Sequence, residues 1–202
     1  MTFPISIPTS TIIACDGMDP YQVCVIEQAK KHRRRKTLVG GKLELPPSTS
    51  QICRQSFLDC AHKEWAEEAG GQGAILVAPE LWAVRTDPYG DVREVTLSKA
   101  CNELPPDDIK ARPVIGHYGC PDCIFLAVVH GTPAPRDGEA KQCFFLDVRD
   151  IRITRTEEES QFGAQHDLIL VLYRHYLQGR APTFADLSDF TALRRRFCEQ
   201  GE

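Results

Sequence analysis

The sequence predicts a single mixed α/β domain, and three observations point to it. Short runs rich in Ile, Val, Thr and Phe recur along the chain, bounded by Gly, Pro, Asp or Ser. Two uninterrupted helical patterns, residues 51–69 and 165–178, stand among them, the first lying between strands. The chain has 202 residues, 42% hydrophobic and 26% charged, a length and balance that suit one globular domain. That domain is expected over residues 1–180, with a tail carrying a short helix over 181–202.

Residues 5–14, rich in Ile, Thr and Ser, read as a strand, and Asp16-Gly17-Met18-Asp19-Pro20 as a turn into a second strand at 22–28, so a hairpin is expected. The run 30–36 (KKHRRRK) is a basic loop, and Thr37-Leu38-Val39 leads into Gly40-Gly41. Pro46-Pro47-Ser48-Thr49-Ser50 breaks the chain and offers caps for the helix at 51–69, which Gly70-Gly71 closes. On that helix Leu58, Ala61, Trp65 and Ala69 recur at spacings of three and four and form an apolar stripe, with the acids on the opposite side. Further strands are expected at 74–77, 81–85, 94–98, 124–129 and 142–146, with loops at 105–108 and 132–138. The helix at 165–178 puts Leu168, Val171, Leu172, His175 and Tyr176 on one side, and a tail helix is expected from Ser188 to about residue 198.

Composition excludes several classes. A net charge of −4 disfavours a whole-surface phosphate-neutralising nucleic-acid binder. No apolar run approaches the roughly 18–20 residues that span a bilayer, and the first residues lack the pattern of a signal peptide. Nine Cys, an odd number, without such a signal imply reduced thiols and a cytoplasmic setting.

The sharpest feature is Lys63-Glu64-Trp65-Ala66-Glu67-Glu68-Ala69-Gly70. Positions 64, 67 and 68 are three and four apart, so their carboxylates share a helical face where like charges repel. A cation above them would relieve that repulsion, and hard divalent ions take carboxylate oxygens together with water and phosphate. A solvated acidic face accounts for the same residues when the helix is considered alone. Upstream stands Gly40-Gly41-Lys42-Leu43-Glu44, a Gly-rich turn leaving a short strand.

Together these segments resemble the Nudix hydrolase family, whose box reads G-x5-E-x7-R-E-U-x-E-E-x-G-U, U being apolar. Its second half is matched by residues 63–70 and its GGK-x-E opening by residues 40–44. Lys63 replaces the box Arg, and Gly71 takes the last apolar position. The pattern is also stretched: Gly41 to Lys63 is 63 − 41 = 22 positions where the box needs 14, leaving eight extra residues, placed within 45–55. The first-half Glu has no clear counterpart.

The resemblance implies an α/β/α sandwich around a mixed sheet and a Mg²⁺- or Mn²⁺-dependent pyrophosphohydrolase of a nucleotide. By that carry-over Gly41, Glu64, Glu67 and Glu68 hold metal, and Glu67, Glu68 and Glu139 are catalytic, Glu139 as a further ligand or the base for water. Glu44 and Lys63 lend structural support. Arg85-Thr86-Asp87-Pro88-Tyr89-Gly90-Asp91-Val92-Arg93 is similar to a segment of members acting on ADP-ribose, which favours a nucleoside diphosphate linked to another group. Tyr89, Arg93, Arg35 and Lys42 are then substrate-binding candidates, with the basic run 30–36 attracting a polyanion or forming only a solvated loop. Rival readings are a non-catalytic nucleotide-binding regulatory module and a triphosphate house-cleaning enzyme. Only 24 residues follow Gln178, too few for the winged-helix domain of regulatory relatives. Family habit implies a homodimer.

Cys120-Pro121-Asp122-Cys123, with Cys101 and His117 upstream, supplies ligand types for a tetrahedral structural zinc, while a plain turn explains the spacing equally well. Cys15, Cys24 and Cys143 fall in strand-like runs and are expected in the core.

Overall fold

A computed structural model describes residues 2–6, 9–28, 35–43, 54–87, 92–96, 114–115, 120–136, 140–180 and 190–202. In chain order the strands are β1 (Thr2–Ser6), β2 (Thr9–Asp16), β3 (Gln22–Gln28), β4 (Lys36–Thr37), β5 (Val39–Lys42), β6 (Ile75–Asp87), β7 (Val92–Thr96), β8 (Val114–Ile115), β9 (Cys120–His130) and β10 (Ala140–Asp147). The helices are α1 (Arg54–Glu68), α2 (His166–Leu177) and α3 (Phe190–Gln200). Among the described residues eight strands form one mixed sheet in the order β10-β3-β2-β9-β6-β8, with β4 beside β3 and β5 beside β2. β1 and β7 form a separate antiparallel pair.

The central pair, β2 and β9, is parallel from Thr9↔Asp122 to Asp16↔Val129. Such strands are buried on both faces and read as continuous apolar runs, whose alternate residues serve two cores. Ile12, Ala14, Cys24, Ile26, Phe125 and Ala127 pack toward α1 with Phe57, Ala61 and Trp65. Ile13, Val23, Val25 and Ile124 pack toward α2 and α3 with Leu168, Leu172, Leu193 and Phe197. The result is the expected α/β/α sandwich. None of the helices among the described residues is long and apolar enough to cross a membrane.

Several expectations change. The run expected at 5–14 is two strands in different sheets; Pro8, which has no N–H for a ladder, stands between them in the sequence. The expected hairpin narrows to the pair Cys15↔Val23, because β3 pairs along its length with β10 while β2 takes β9 and β5. The runs at 74–77 and 81–85 are one 13-residue strand, β6, whose register shifts between Val77 and Glu80. Ala78 there has φ 47°, so one left-handed residue beside Pro79 absorbs the irregularity without ending the strand. α2 is buried over residues 166–174 rather than along one side, since α3 covers what the sheet leaves open. Tyr176, placed on one side of the helix with Leu168, Val171 and Leu172, is exposed.

α3 is fixed to α2 by polar contacts as well. Arg174 donates to the carbonyls of Val148, Arg149 and Ile151 and pairs with Glu202, whose main-chain carbonyl accepts from the N–H of Ile153. Glu202 also lies near His175 and Arg180. Burial and then Arg180 lower the pKa of His175, outweighing Glu202. Burial opposes ionisation of Glu202, yet Arg174, His175 and Arg180 together hold its carboxyl below the ordinary value. Both shifts make the unfolded chain bind protons more readily than the folded one, so stability is lost on acidification. For His175 the loss sets in as pH falls below about 6.5, its ordinary value, and for Glu202 below about 4.5. Calorimetry between pH 7 and pH 4 should show a falling thermal midpoint, and His175→Phe should flatten its upper part, between pH 7 and pH 5.

Candidate active site

Gly40 and Gly41 lie in β5, opposite Thr11 and Ser10 of β2. α1 crosses this edge, tied by the Ser10 hydroxyl, which donates to the Phe57 carbonyl at 2.7 Å, and by Trp65 Nε1, which donates to the Ala74 carbonyl at 2.8 Å. Phe57, Cys60, Ala61, Trp65 and Ala69 bury one side of α1, a wider stripe than the four residues expected.

That docking brings Glu64 and Glu68 onto Gly40 and Gly41, which form part of strand β5 and not the expected turn. A Cβ on Gly41 would stand 2.2 Å from the Glu64 carboxyl carbon, so the carboxylate rests against a space only glycine leaves. Glu68, 8% exposed, accepts from the Gly40 N–H through Oε2 at 3.1 Å. Glu68 is therefore at the margin of the core, not opposite the apolar stripe as expected. Glu67 departs from the other two: it is half-exposed and pairs with Lys63 one turn earlier at 3.9 Å. An exposed pair of this kind contributes at most about 1 kcal/mol. The eight extra residues between the two half-motifs do not prevent their meeting, in keeping with the slow growth of loop-closure cost with length.

Two thiols stand at the site that the sequence did not distinguish from core cysteines. Cys60 donates to the Gly41 carbonyl at 3.7 Å and Cys143 to the Glu68 carbonyl at 3.3 Å. Burial and then the Glu64 charge push the Cys60 thiol up to about 11; burial and then Glu68 push Cys143 up to about 11. Both stay protonated at neutral pH and serve as donors, and their spacing from Glu64 and Glu68 in the sequence carried no signal of it. Gly71, out of place in the box, has its reason here as well: its N–H donates to the Ala134 carbonyl at 2.9 Å, and a Cβ would stand 2.6 Å from the Pro135 carbonyl oxygen.

Among the other candidates, Lys42 is exposed at the end of β5, and Arg35 approaches Glu157 at 3.9 Å on the α2 side of the sheet. Arg93 has its backbone in β7 opposite Ile5. Tyr89, Glu44, Glu139, Cys101 and His117 lie outside the described residues. Cys120 and Cys123 belong to β9 rather than to a turn, and Cys123 is buried, 1% exposed, with its thiol pKa raised by burial and then by Asp122. Among the described residues no three His, Cys, Asp or Glu side chains converge on one point as a ready metal cage. The site offers instead two carboxylates and a backbone carbonyl, the hard oxygen set that leaves the remaining positions of an ion to water and phosphate.

No family model matches the sequence, and no curated protein is similar to it. Solved structures are similar in fold. A NUDIX hydrolase from Nitrosomonas europaea is 15% identical with a TM-score of 0.50, over 88% of this chain and 76% of that one. The NUDIX domain of Shewanella oneidensis NrtR complexed with ADP ribose is 9% identical with a TM-score of 0.49, over 87% of this chain and 90% of that one. An Ap4A hydrolase binary complex from C. elegans is 12% identical with a TM-score of 0.44, over 86% of this chain and 98% of that one. At such identities the likeness concerns the fold, and the Nitrosomonas structure carries it.

Proposed function

We propose that this chain, which has the Nudix fold, is a metal-dependent pyrophosphohydrolase that cleaves the diphosphate of a nucleoside diphosphate linked to another group, ADP-ribose or a similar nucleotide sugar. The observation that carries the reading is the seating of Glu64 and Glu68 on Gly41 and Gly40, across a chain stretch too long for the usual box. The donor set fits Mg²⁺ or Mn²⁺: Glu64, Glu68 and the Gly41 carbonyl would hold the ion, with Glu67 reaching it after leaving Lys63. Such an ion supplies charge stabilisation at phosphoryl oxygens and lowers the pKa of bound water.

The remaining roles fall to the chain itself. The Gly40 N–H holds Glu68 oriented, and Cys60 fixes the Gly41 carbonyl. Lys63 lies one turn from Glu67 and pairs with it at 3.9 Å. Glu139 accepts a proton from the attacking water, and Lys42, Arg93 and Tyr89 bind the phosphates and base, whereas Arg35, paired with Glu157 on the α2 side of the sheet, takes no part. Support for a diphosphate-linked substrate over a triphosphate is the segment from Asp87 to Arg93.

The test is hydrolysis of a panel containing ADP-ribose, UDP-sugars, dinucleoside polyphosphates and nucleoside triphosphates with Mg²⁺ or Mn²⁺. The expected result is turnover of a diphosphate-linked nucleotide, reduced by about 10²-fold or more in Glu68→Gln. Equal rates in parent and variant would remove the assignment of the helix, and turnover of no substrate would favour a binding module.

A further inference from the structure

Between β4 and β5 the chain changes partner. Thr37 pairs with Ile26 of β3, and Val39 pairs with Ile12 of β2. Leu38, between them, belongs to neither ladder and is 2% exposed, so its N–H needs a partner away from water. That partner comes from the layer opposite the carboxylate helix. His166, 6% exposed and the first residue of α2, accepts the Leu38 N–H through Nδ1 at 2.8 Å. A neutral imidazole that accepts at Nδ1 carries its proton on Nε2.

The approach to His166 holds the ring in this place. Residues 161–163 run along the same strand: the Lys36 N–H donates to the Gln161 carbonyl and the Gly163 N–H to the Lys36 carbonyl, each at 2.9 Å. Ala164 and Gln165 then both take left-handed conformations, φ 51° and 56°, and turn the chain into α2. The His166 N–H closes that turn on the Gly163 carbonyl at 3.1 Å. Two non-glycine residues in this region cost free energy that the surroundings must offset, and here the turn aims His166 at Leu38.

The groups of the carboxylate site stand just beyond Leu38 on the same strand. The Gly40 N–H donates to Glu68 Oε2 at 3.1 Å, and the Gly41 carbonyl accepts from Cys60 at 3.7 Å beside the Glu64 carboxylate. β5 is four residues long and begins directly after Leu38, so a shift of Leu38 reaches Gly40 and Gly41. Only about 7–10 Å of extended backbone lies between. We propose that His166 is a positioning residue of the carboxylate site: by fixing the strand where it changes partner, it sets where the Gly40 N–H and the Gly41 carbonyl stand, and with them the affinity for the ion. This inference rests on the reading of Glu64, Glu68 and the Gly41 carbonyl as ion ligands.

His166→Asn and His166→Gln make a matched pair for the test. Both place an amide in the same spot, but Asn carries its oxygen near the position of Nδ1, whereas Gln reaches toward that of Nε2. Two quantities are measured on the full chain: hydrogen exchange at the Gly40 amide without metal, and Mn²⁺ binding by loss of the free-ion electron paramagnetic resonance signal. His166→Gln should speed Gly40 exchange and weaken Mn²⁺ binding by about tenfold each, while His166→Asn stays within about threefold of the parent. Equal losses in the two variants would mark the ring as merely structural and overturn the proposal, as would Gly40 exchange that His166→Gln leaves unchanged. In the parent, the imidazole ¹⁵N shifts should report the Nε2–H form at neutral pH; a proton on Nδ1 overturns the proposal even if His166→Gln fails to fold. Mn²⁺ binding that Glu68→Gln abolishes and His166→Gln leaves intact removes the role of His166 alone. Absence of Mn²⁺ binding by the parent removes the ion site, and this role with it.

Discussion

Arg194→Met is expected to destabilise the fold by about 3–5 kcal/mol, lowering the thermal midpoint by roughly 6–20 °C. The reason is the isolation of Asp167, which is 0% exposed at the first turn of α2. Arg194 donates to both of its oxygens, Nη1 to Oδ2 at 2.9 Å and Nη2 to Oδ1 at 3.0 Å. The Ser160 hydroxyl and the Leu168 N–H also donate to that carboxylate, and the helix start favours its charge. Those donors remain after substitution, but the full countercharge does not, and an uncompensated buried charge is far more costly than a lost surface pair. Asp167→Asn combined with Arg194→Met should recover part of the loss, because the charge that suffers is then gone. Differential scanning calorimetry of the two single variants and the double variant checks this; near-additive losses would mean that the two side chains do not act as a pair.

Gly41→Ala is expected to lower hydrolysis by about 10²-fold or more while leaving the fold nearly as stable, and Gly40→Ala to do the reverse in stability. Neither glycine has a positive φ, so alanine meets no backbone penalty at either position. The difference lies in what the new methyl would strike. At Gly41 it is the end of the Glu64 side chain, 2.2 Å away, which can swing aside at small cost but then no longer lies where an ion would be held. At Gly40 it is the Ser10 carbonyl oxygen, 2.3 Å away, on the neighbouring strand β2. That strand is locked by β9, so its displacement should cost about 1–3 kcal/mol. Denaturant unfolding alongside nucleotide turnover separates the two cases. Equal losses of stability in both variants would show that Glu64 is not the group that Gly41 accommodates.

Much of this was legible because local chemistry and tertiary structure agree. The spacing of Ala61, Trp65 and Ala69 marked the buried side of α1, with Leu58 partly buried beside it, and Gly40-Gly41 with Glu64 and Glu68 marked segments that the fold brings together. What escaped the sequence depends on contacts between distant positions. The partition of β2 between two cores follows from pairing with β9 over a separation of more than a hundred residues, which no local pattern encodes. The fusion of two runs into β6 depends on Ala78 adopting a conformation that sequence ordinarily assigns to glycine. Glu67 shares its helical face with Glu64 and Glu68 in the sequence, yet it is half-exposed and pairs with Lys63, an i,i+4 contact within α1 itself. His166 and Asp167, at the start of α2, both serve the framework. His166 Nδ1 accepts from the Leu38 N–H at 2.8 Å, just before β5, and Asp167 anchors α3.

Glu64 and Glu68, seated on Gly41 and Gly40, are the residues proposed to hold a hard divalent ion. Titration of the full chain with Mn²⁺, followed by the loss of the free-ion electron paramagnetic resonance signal, tests that role without reference to any substrate. Saturable binding by the parent and about 10–100-fold weaker binding by Glu64→Gln and by Glu68→Gln are expected. Mn²⁺ binding of equal strength in the parent and in both variants would contradict that role.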